Sequence, residues 1–313
     1  MVYCLVRLCI YDHSFNWDNF GSQTASYTVA YSETAATGGY LTSDKNLITT
    51  NTTILGTPEA DLLFGNGQDN TIKGFAGDDF ISGGAGNDTI MAGDGNDSVY
   101  SGDGDDNVDG GESNNTINTG YGNDVIVAGD GYDIVNSGSG NDSIDVGRGW
   151  ANVDGGAGVD TLTFDLSNAD APHSLFYTIG GNGYAAGDSY EQLHQALVGA
   201  TAFGVYGYFN VQYHNVEAVN WTAGLGNDLL IYQGGSHYDG GTGNDTFYAD
   251  FSGTTQVVNW NVDTNTFSTV NGMAVTNVER LLLATGSGTI SSKRLTAGFL
   301  TTSRQGRATT RLT

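Results

Sequence analysis

From Gly56 to Thr163 the chain repeats itself every nine residues, twelve times and without a gap. The frame is Gly-Gly-x-Gly-x-Asp-x-U-x, where U is a large aliphatic residue. GGAGNDTIM at Gly83, SGDGDDNVD at Ser101 and SGSGNDSID at Ser137 follow it most closely. Position eight is aliphatic in every copy: Leu63, Ile72, Ile81, Ile90, Val99, Val108, Ile117, Ile126, Val135, Ile144, Val153 and Leu162. Nine residues are too few for a pair of helices but suit a short strand and a tight turn. The x-U-x part supplies the strand, with U on one face and its neighbours on the other. The Gly-rich part supplies the turn, because glycine accepts positive φ and lets backbones stack closely.

Two nonapeptides, one strand on each side, make one turn of a flattened right-handed coil. Residues eighteen apart then stack, and at about 4.8 Å per strand six turns give a rod roughly 29 Å long. The expected fold class is all-β, a parallel β-roll of stacked repeats flanked by antiparallel β modules and one short helix. Position six is Asp in nine copies, Asn at Asn70 and Asn115, and Ala at Ala151. A single such Asp would be an ordinary turn former. Held in one frame, the acids sort into two rows. One row is Asp61, Asp79, Asp97, Asn115, Asp133 and Ala151; the other is Asn70, Asp88, Asp106, Asp124, Asp142 and Asp160. The second row is the fuller. In the first, copy seven (GGESNNTIN) also carries Ser113 in place of a glycine.

Each turn offers one carboxylate and several backbone carbonyls. Oxygen-only coordination in a flexible loop suits Ca²⁺ better than Mg²⁺ or Zn²⁺. The repeat block has no Cys or His for zinc. It holds 20 acidic residues against Lys73 and Arg148, within a chain of net charge −25. That balance excludes nucleic acid as a partner. Packed carboxylates over a single aliphatic layer predict a block that is disordered without a cation. With a Kd of ~0.1–1 mM, usual for extracellular modules, each site adds roughly 1.4 kcal/mol at about ten times Kd. Such a block is expected to be unfolded at cytosolic calcium and folded outside the cell.

The rest of the chain divides by pattern. Residues 1–55 read as an N-terminal β cap or disordered leader, with a candidate strand at Ser26–Tyr31. Cys4 and Cys9 are expected to be incidental thiols. Val2–Ile10 is apolar but broken by Arg7, a poor signal peptide, and no stretch is long enough to span a membrane. The main roll is placed at 56–167, a β-rich module with one helix at 168–222, a second short roll block at 223–250, a β module at 251–290 and a basic tail, disordered or truncated, at 291–313. The helix is expected over Asp188–Ala200, capped by Asp188 with Glu191 at N3, its Tyr190, Leu193 and Leu197 on one face, and ended by Gly199. The second block holds AGLGNDLLI and GGTGNDTFY, with Asp228 and Asp245 at position six, enough for one more calcium site. NVEAVNWTAG at Asn215 echoes NVERLLLATG at Asn277. The aromatic segment Phe203–Trp221 could contact carbohydrate, but core packing is the preferred role.

The twelve-copy block resembles the RTX family of secreted bacterial proteins, the haemolysin-type calcium-binding repeat proteins; Ala223–Tyr248 resembles it more weakly. The resemblance implies a parallel β-roll, several calcium ions between stacked turns, export by a type I secretion apparatus, and a secreted, extracellular or cell-surface location. It places calcium ligands at Asp61, Asp79, Asp88, Asp97, Asp106, Asp124, Asp133, Asp142, Asp160, Asp228 and Asp245. Its turn glycines map to Gly84, Gly86, Gly93, Gly95, Gly102, Gly104, Gly120, Gly122, Gly138 and Gly140. The chain has no His-Glu-x-x-His and no Gly-x-Ser-x-Gly motif. His13, His173, His194, His214 and His237 stand singly, with Asp170 near His173 and Glu217 near His214 as local pairs. A non-enzymatic calcium-binding module with a structural, interaction or adhesin-like role is expected. The alternative is a non-catalytic C-terminal fragment of a larger RTX protease, lipase or polysaccharide-modifying enzyme.

Overall fold

The computed structural model describes residues 40–41, 47–48, 52–167, 176–179, 182–200, 202–206, 210–252, 258–261, 266–269, 273–285, 290–292 and 307–311. The candidate strand Ser26–Tyr31, Cys4, Cys9, His13, His173 and most of the N-terminal cap lie outside the described residues.

Alternate repeats feed two facing parallel sheets. On one side Thr53–Leu55, Thr71–Ala76, Thr89–Asp94, Asn107–Asp109, Val125–Val127, Ser143–Asp145 and Thr161–Asp165 pair in order. On the other side Leu62–Phe64, Phe80–Ala85, Ser98–Asp103, Thr116–Tyr121, Tyr132–Asn136 and Trp150–Asp154 do the same. The register is eighteen residues throughout: Ile72 pairs with Ile90, Ile90 with Val108, Ile126 with Ile144 and Ile144 with Leu162. A one-residue slip would turn every aliphatic outward, so the periodic core pins this register. All twelve position-eight side chains are at most 1 % exposed. Ile54 joins the same core one repeat earlier. Position one also points inward. It is Ala92, Ala128 and Val146 on one edge, but Ser101, Thr119 and Ser137 on the other, all buried.

The coil does not stop at residue 167. After an excursion the chain returns, and Asn210–His214 pairs in parallel with Trp150–Asp154. Ala218–Thr222 pairs in parallel with Thr161–Asp165, placing Val219 on Leu162. Trp221 stacks on Phe164 across this junction, with ring centroids 4.1 Å apart and planes 7° apart. His237–Asp239 and Ala274–Thr276 continue the same sheet, giving an unbroken run of ten parallel strands among its thirteen described strands. Leu229–Ile231, Thr246–Phe251 and Arg280–Thr285 form a separate parallel stack, and Arg307–Arg311 from the basic tail adds an antiparallel edge.

Within the excursion, Phe176–Ile179, Asn182–Tyr184 and Ala202–Tyr206 extend the second sheet in antiparallel fashion. Its helix, α1, is Tyr190–Leu197, with Tyr190 and Leu193 buried. The cap lies one residue beyond the expected Asp188. Ser189 accepts from the Gln192 backbone N–H, and the Gln192 side chain accepts from the Ser189 N–H. Asp188 instead accepts from Ala185 N–H at 2.7 Å. Tyr213 and Trp221 are buried and Phe203 packs on Tyr213 at 5.4 Å, so these aromatics serve the core.

Most turn glycines stack too closely for a side chain, although Phe75 and Ser113 take positive φ with one. A Cβ on Gly140 would sit 1.7 Å from the Gly122 carbonyl oxygen, at a φ of +139°. Gly67 has open space around it. Gly140→Ala is expected to destabilise the calcium-loaded roll by about 1–3 kcal/mol through strain alone, and Gly67→Ala to leave it nearly unchanged. Thermal melting of both variants in excess calcium checks this, and equal melting points would contradict the stacking.

Candidate metal centre

The two rows of position-six residues stand at opposite edges of the coil, as the eighteen-residue offset requires. In the fuller row, Asn70 N–H donates to Asp88 Oδ1, Asp88 to Asp106, Asp106 to Asp124, Asp124 to Asp142 and Asp142 to Asp160, at 2.7–2.9 Å. In the other, Asp61 donates to Asp79, Asp79 to Asp97, Asp97 to Asn115 and Asn115 to Asp133, at 2.7–3.0 Å. That row ends at Ala151, which pairs with Asp133 and has no side-chain oxygen. In the second block Asp228 N–H donates to Asp245 Oδ1 at 2.7 Å, seventeen residues away.

Each Asp after the first of its row thus commits one oxygen to the turn before it, and Asp61 commits one to Thr57 in its own turn. The second oxygen is left over. Oδ2 of Asp79, Asp88, Asp97, Asp106, Asp124, Asp133, Asp142, Asp160 and Asp245, and Oδ1 of Asp61, are buried without a hydrogen-bond partner. The side chains carrying them are at most 3 % exposed. A carboxylate is rarely buried unpaired, because desolvation penalises its charge. Lys73 and Arg148, the two basic residues of the repeat block, make no ion pair with this row.

Burial therefore raises eight of these acids. Desolvation, reinforced by neighbouring carboxylates, lifts Asp79, Asp88, Asp97, Asp124 and Asp160 to about 6. It lifts Asp133 and Asp245 to about 7, and it raises Asp106. The backbone N–H bonds pull the other way and are outweighed.

A carbonyl oxygen of the next turn lies near each of two such carboxylate oxygens, those of Asp79 and Asp88. A Cβ on Gly83 would lie 2.2 Å from Asp88 Oδ2 and 2.6 Å from the Ser101 carbonyl oxygen of the next turn. On Gly74 it would meet Asp79 Oδ2 and the Ala92 carbonyl, both at 2.3 Å. The position-two and position-four glycines Gly84, Gly86, Gly93, Gly95, Gly102, Gly104, Gly120, Gly122, Gly138 and Gly140 all have φ between 96° and 139°. Among the described residues no three His, Cys, Asp or Glu side chains converge. A cation here would draw on one or two carboxylates and otherwise on carbonyls. That donor set fits Ca²⁺, a hard ion content with neutral oxygens, and does not fit zinc. Bound there, it would supply the positive charge that the buried row lacks.

Residues 55–149 of the chain are RTX repeats. The family model for the RTX calcium-binding nonapeptide repeat matches residues 55–90, 82–117 and 118–149. No curated protein matches the chain. These repeats imply a calcium-binding β-roll.

Two further ladders escaped the sequence reading. Position-five Asn and Asp side chains accept from the turn after them. Asn87 N–H donates to Asp69 Oδ1, Asp105 to Asn87, Asn123 to Asp105 and Asn141 to Asn123, at 2.7–2.9 Å. The turns are thus stitched in both directions along the roll. Inside the fuller edge, Ser101 Oγ donates to the Thr119 carbonyl, Thr119 Oγ1 to Ser137 and Ser137 Oγ to Gly155, at 2.7–3.1 Å. Asn or Asp at position five in eight of the twelve copies was the available signal for the first ladder. Ser and Thr in place of Gly at position one was the signal for the second. His214 does not meet Glu217; its Nε2 lies 3.1 Å from Asp154 Oδ2, and Glu217 faces Asp160.

The raised carboxylates predict how the metal-free roll answers pH. Their folded pKa values lie above the unfolded value of 3.8. Protonation therefore favours the metal-free fold, fully below that unfolded value, and the gain is lost as pH rises through about 6 to 7. Decalcified protein taken from pH 7.5 to about 5 should gain β signal by far-UV circular dichroism. A featureless pH response would contradict the burial of the row.

Proposed function

We propose that the protein is a secreted module whose roll is disordered in a calcium-poor cell and folds on meeting calcium outside it. The observation that carries this reading is the row of buried carboxylate oxygens without hydrogen-bond partners. At neutral pH a metal-free roll must either hold those charges unpaired or protonate them, and both disfavour folding. Calcium removes the conflict by binding the folded state alone, so stability follows calcium concentration by mass action.

The location follows from the same threshold. Sites in the range of extracellular modules, ~0.1–1 mM, stay empty at cytosolic calcium and fill outside. An unfolded chain suits passage through a narrow channel, which favours export by a type I apparatus. No helix among the described residues is long and apolar enough to cross a membrane. Once folded, the rod presents stacked, acidic edges of fixed spacing, a shape suited to a structural, interaction or adhesin-like role at the cell surface.

Far-UV circular dichroism during a calcium titration tests the proposal. The expected result is a coil-like spectrum in chelator at pH 7.5 and a cooperative gain of β signal between about 0.1 and a few millimolar calcium. A chelated protein already carrying its full β signal would overturn it.

A further inference from the structure

We infer that Glu217 and Glu279 complete two calcium sites of a second kind, one at each place where a position-six Asp meets an Asn-Val-Glu corner. The inference rests on the calcium reading above.

The two corners are built alike. Between Asp154, which ends one strand, and Thr161, which begins the next, the chain makes a full six-residue turn, Gly155–Asp160. Their partners on the next level, His214 and Ala218, are joined by only Asn215, Val216 and Glu217. In the second block Asp239 and Thr246 enclose six residues, whereas their partners Thr276 and Arg280 enclose only Asn277, Val278 and Glu279. Both asparagines take φ +52°. Asn215 Nδ2 donates to Asp154 Oδ1 at 2.8 Å and Asn277 Nδ2 to Asp239 Oδ1 at 2.7 Å.

The shortened corner keeps a carboxylate and a carbonyl of the full turn. Glu217 Oε2 accepts from Asp160 N–H at 2.9 Å, and Glu279 Oε2 from Asp245 N–H at 2.8 Å. Each glutamate thus stands where the next position-six Asp would stand. Each asparagine carbonyl replaces the next position-one carbonyl. A Cβ on Gly155 would lie 2.1 Å from Asn215 O and 3.0 Å from Asp160 Oδ2. On Gly240 it would lie 2.1 Å from Asn277 O and 3.0 Å from Asp245 Oδ2. Asp160 and Asp245 are fully buried, and each aims an unpartnered Oδ2 into this space.

Two carboxylates and a carbonyl around one buried, unsatisfied oxygen form an oxygen-only donor set for a hard divalent cation. The glutamate reaches it with a side chain one methylene longer, from a corner too short to carry an Asp turn. At the first corner the ion would tie Asp160 to Glu217 across the whole excursion, so calcium would close that loop as well as the roll.

A purely structural cap needs only a hydrogen-bond acceptor, which glutamine retains. Glu217→Gln and Glu279→Gln keep that acceptor and remove the charge. In the full-length protein, calcium stoichiometry by equilibrium dialysis should fall by one ion in each variant and by two in the double variant. Circular dichroism at saturating calcium verifies that each reaches the wild-type β signal. Should Glu217→Gln fall short of it, Glu279→Gln carries the same test at the other corner. Unchanged stoichiometry in folded variants overturns the inference and leaves the roll's own calcium sites standing. A wild type that binds no calcium overturns the parent reading and this one together.

Discussion

The architecture depends on one bond and on what that bond leaves behind. In the fuller row the Oδ1 of each position-six Asp accepts from the backbone N–H of the turn stacked before it, eighteen residues back. The bond fixes the register of turn upon turn and draws the carboxylate out of water. The remaining oxygen is then buried with nothing to accept from. The contact that orders the roll also makes it dependent on a cation.

Other features reinforce or relieve this constraint. The aliphatic layer is one side chain deep per strand and cannot alone offset two rows of desolvated acids. Position-five side chains bond in the opposite sense, so each turn is held from both neighbours. The hydroxyl ladder Ser101–Thr119–Ser137 runs along the fuller edge, each hydroxyl donating to the carbonyl of the next turn. The edge with that ladder is also the edge with unbroken carboxylates. The opposite edge, interrupted at Asn115 and closed by Ala151, substitutes an amide and then a methyl group for the charge.

The roll itself was legible because it is periodic. The position-eight column from Leu63 to Leu162 sets a core face, the eighteen-residue offset follows from two strands per turn, and Asp88 over Asp106 over Asp124 follows from the offset. What was not legible lies where the period breaks. Val219 stacks on Leu162 across fifty-seven residues, and no local pattern announces that the chain returns to the same sheet. Glu217 and Glu279 were visible only as an echo between two Asn-Val-Glu segments. Their place above Asp160 and Asp245 depends on a turn that keeps three residues of six. The cap of α1 fell one residue late because Ser189 with Gln192 competes locally with Asp188 and Glu191, and spacing does not separate the two.

The central claim is that the leftover carboxylate oxygens belong to calcium. Anomalous diffraction from crystals grown in calcium tests it most directly. The account predicts a line of peaks along the fuller edge, one between each pair of stacked turns from Asp88 to Asp160, each bonded to an Oδ2 that otherwise lacks a partner. It predicts weak or missing peaks beside Asn115 and Ala151. Peaks absent from the Asp88–Asp160 edge, or equally strong along both edges, would contradict it.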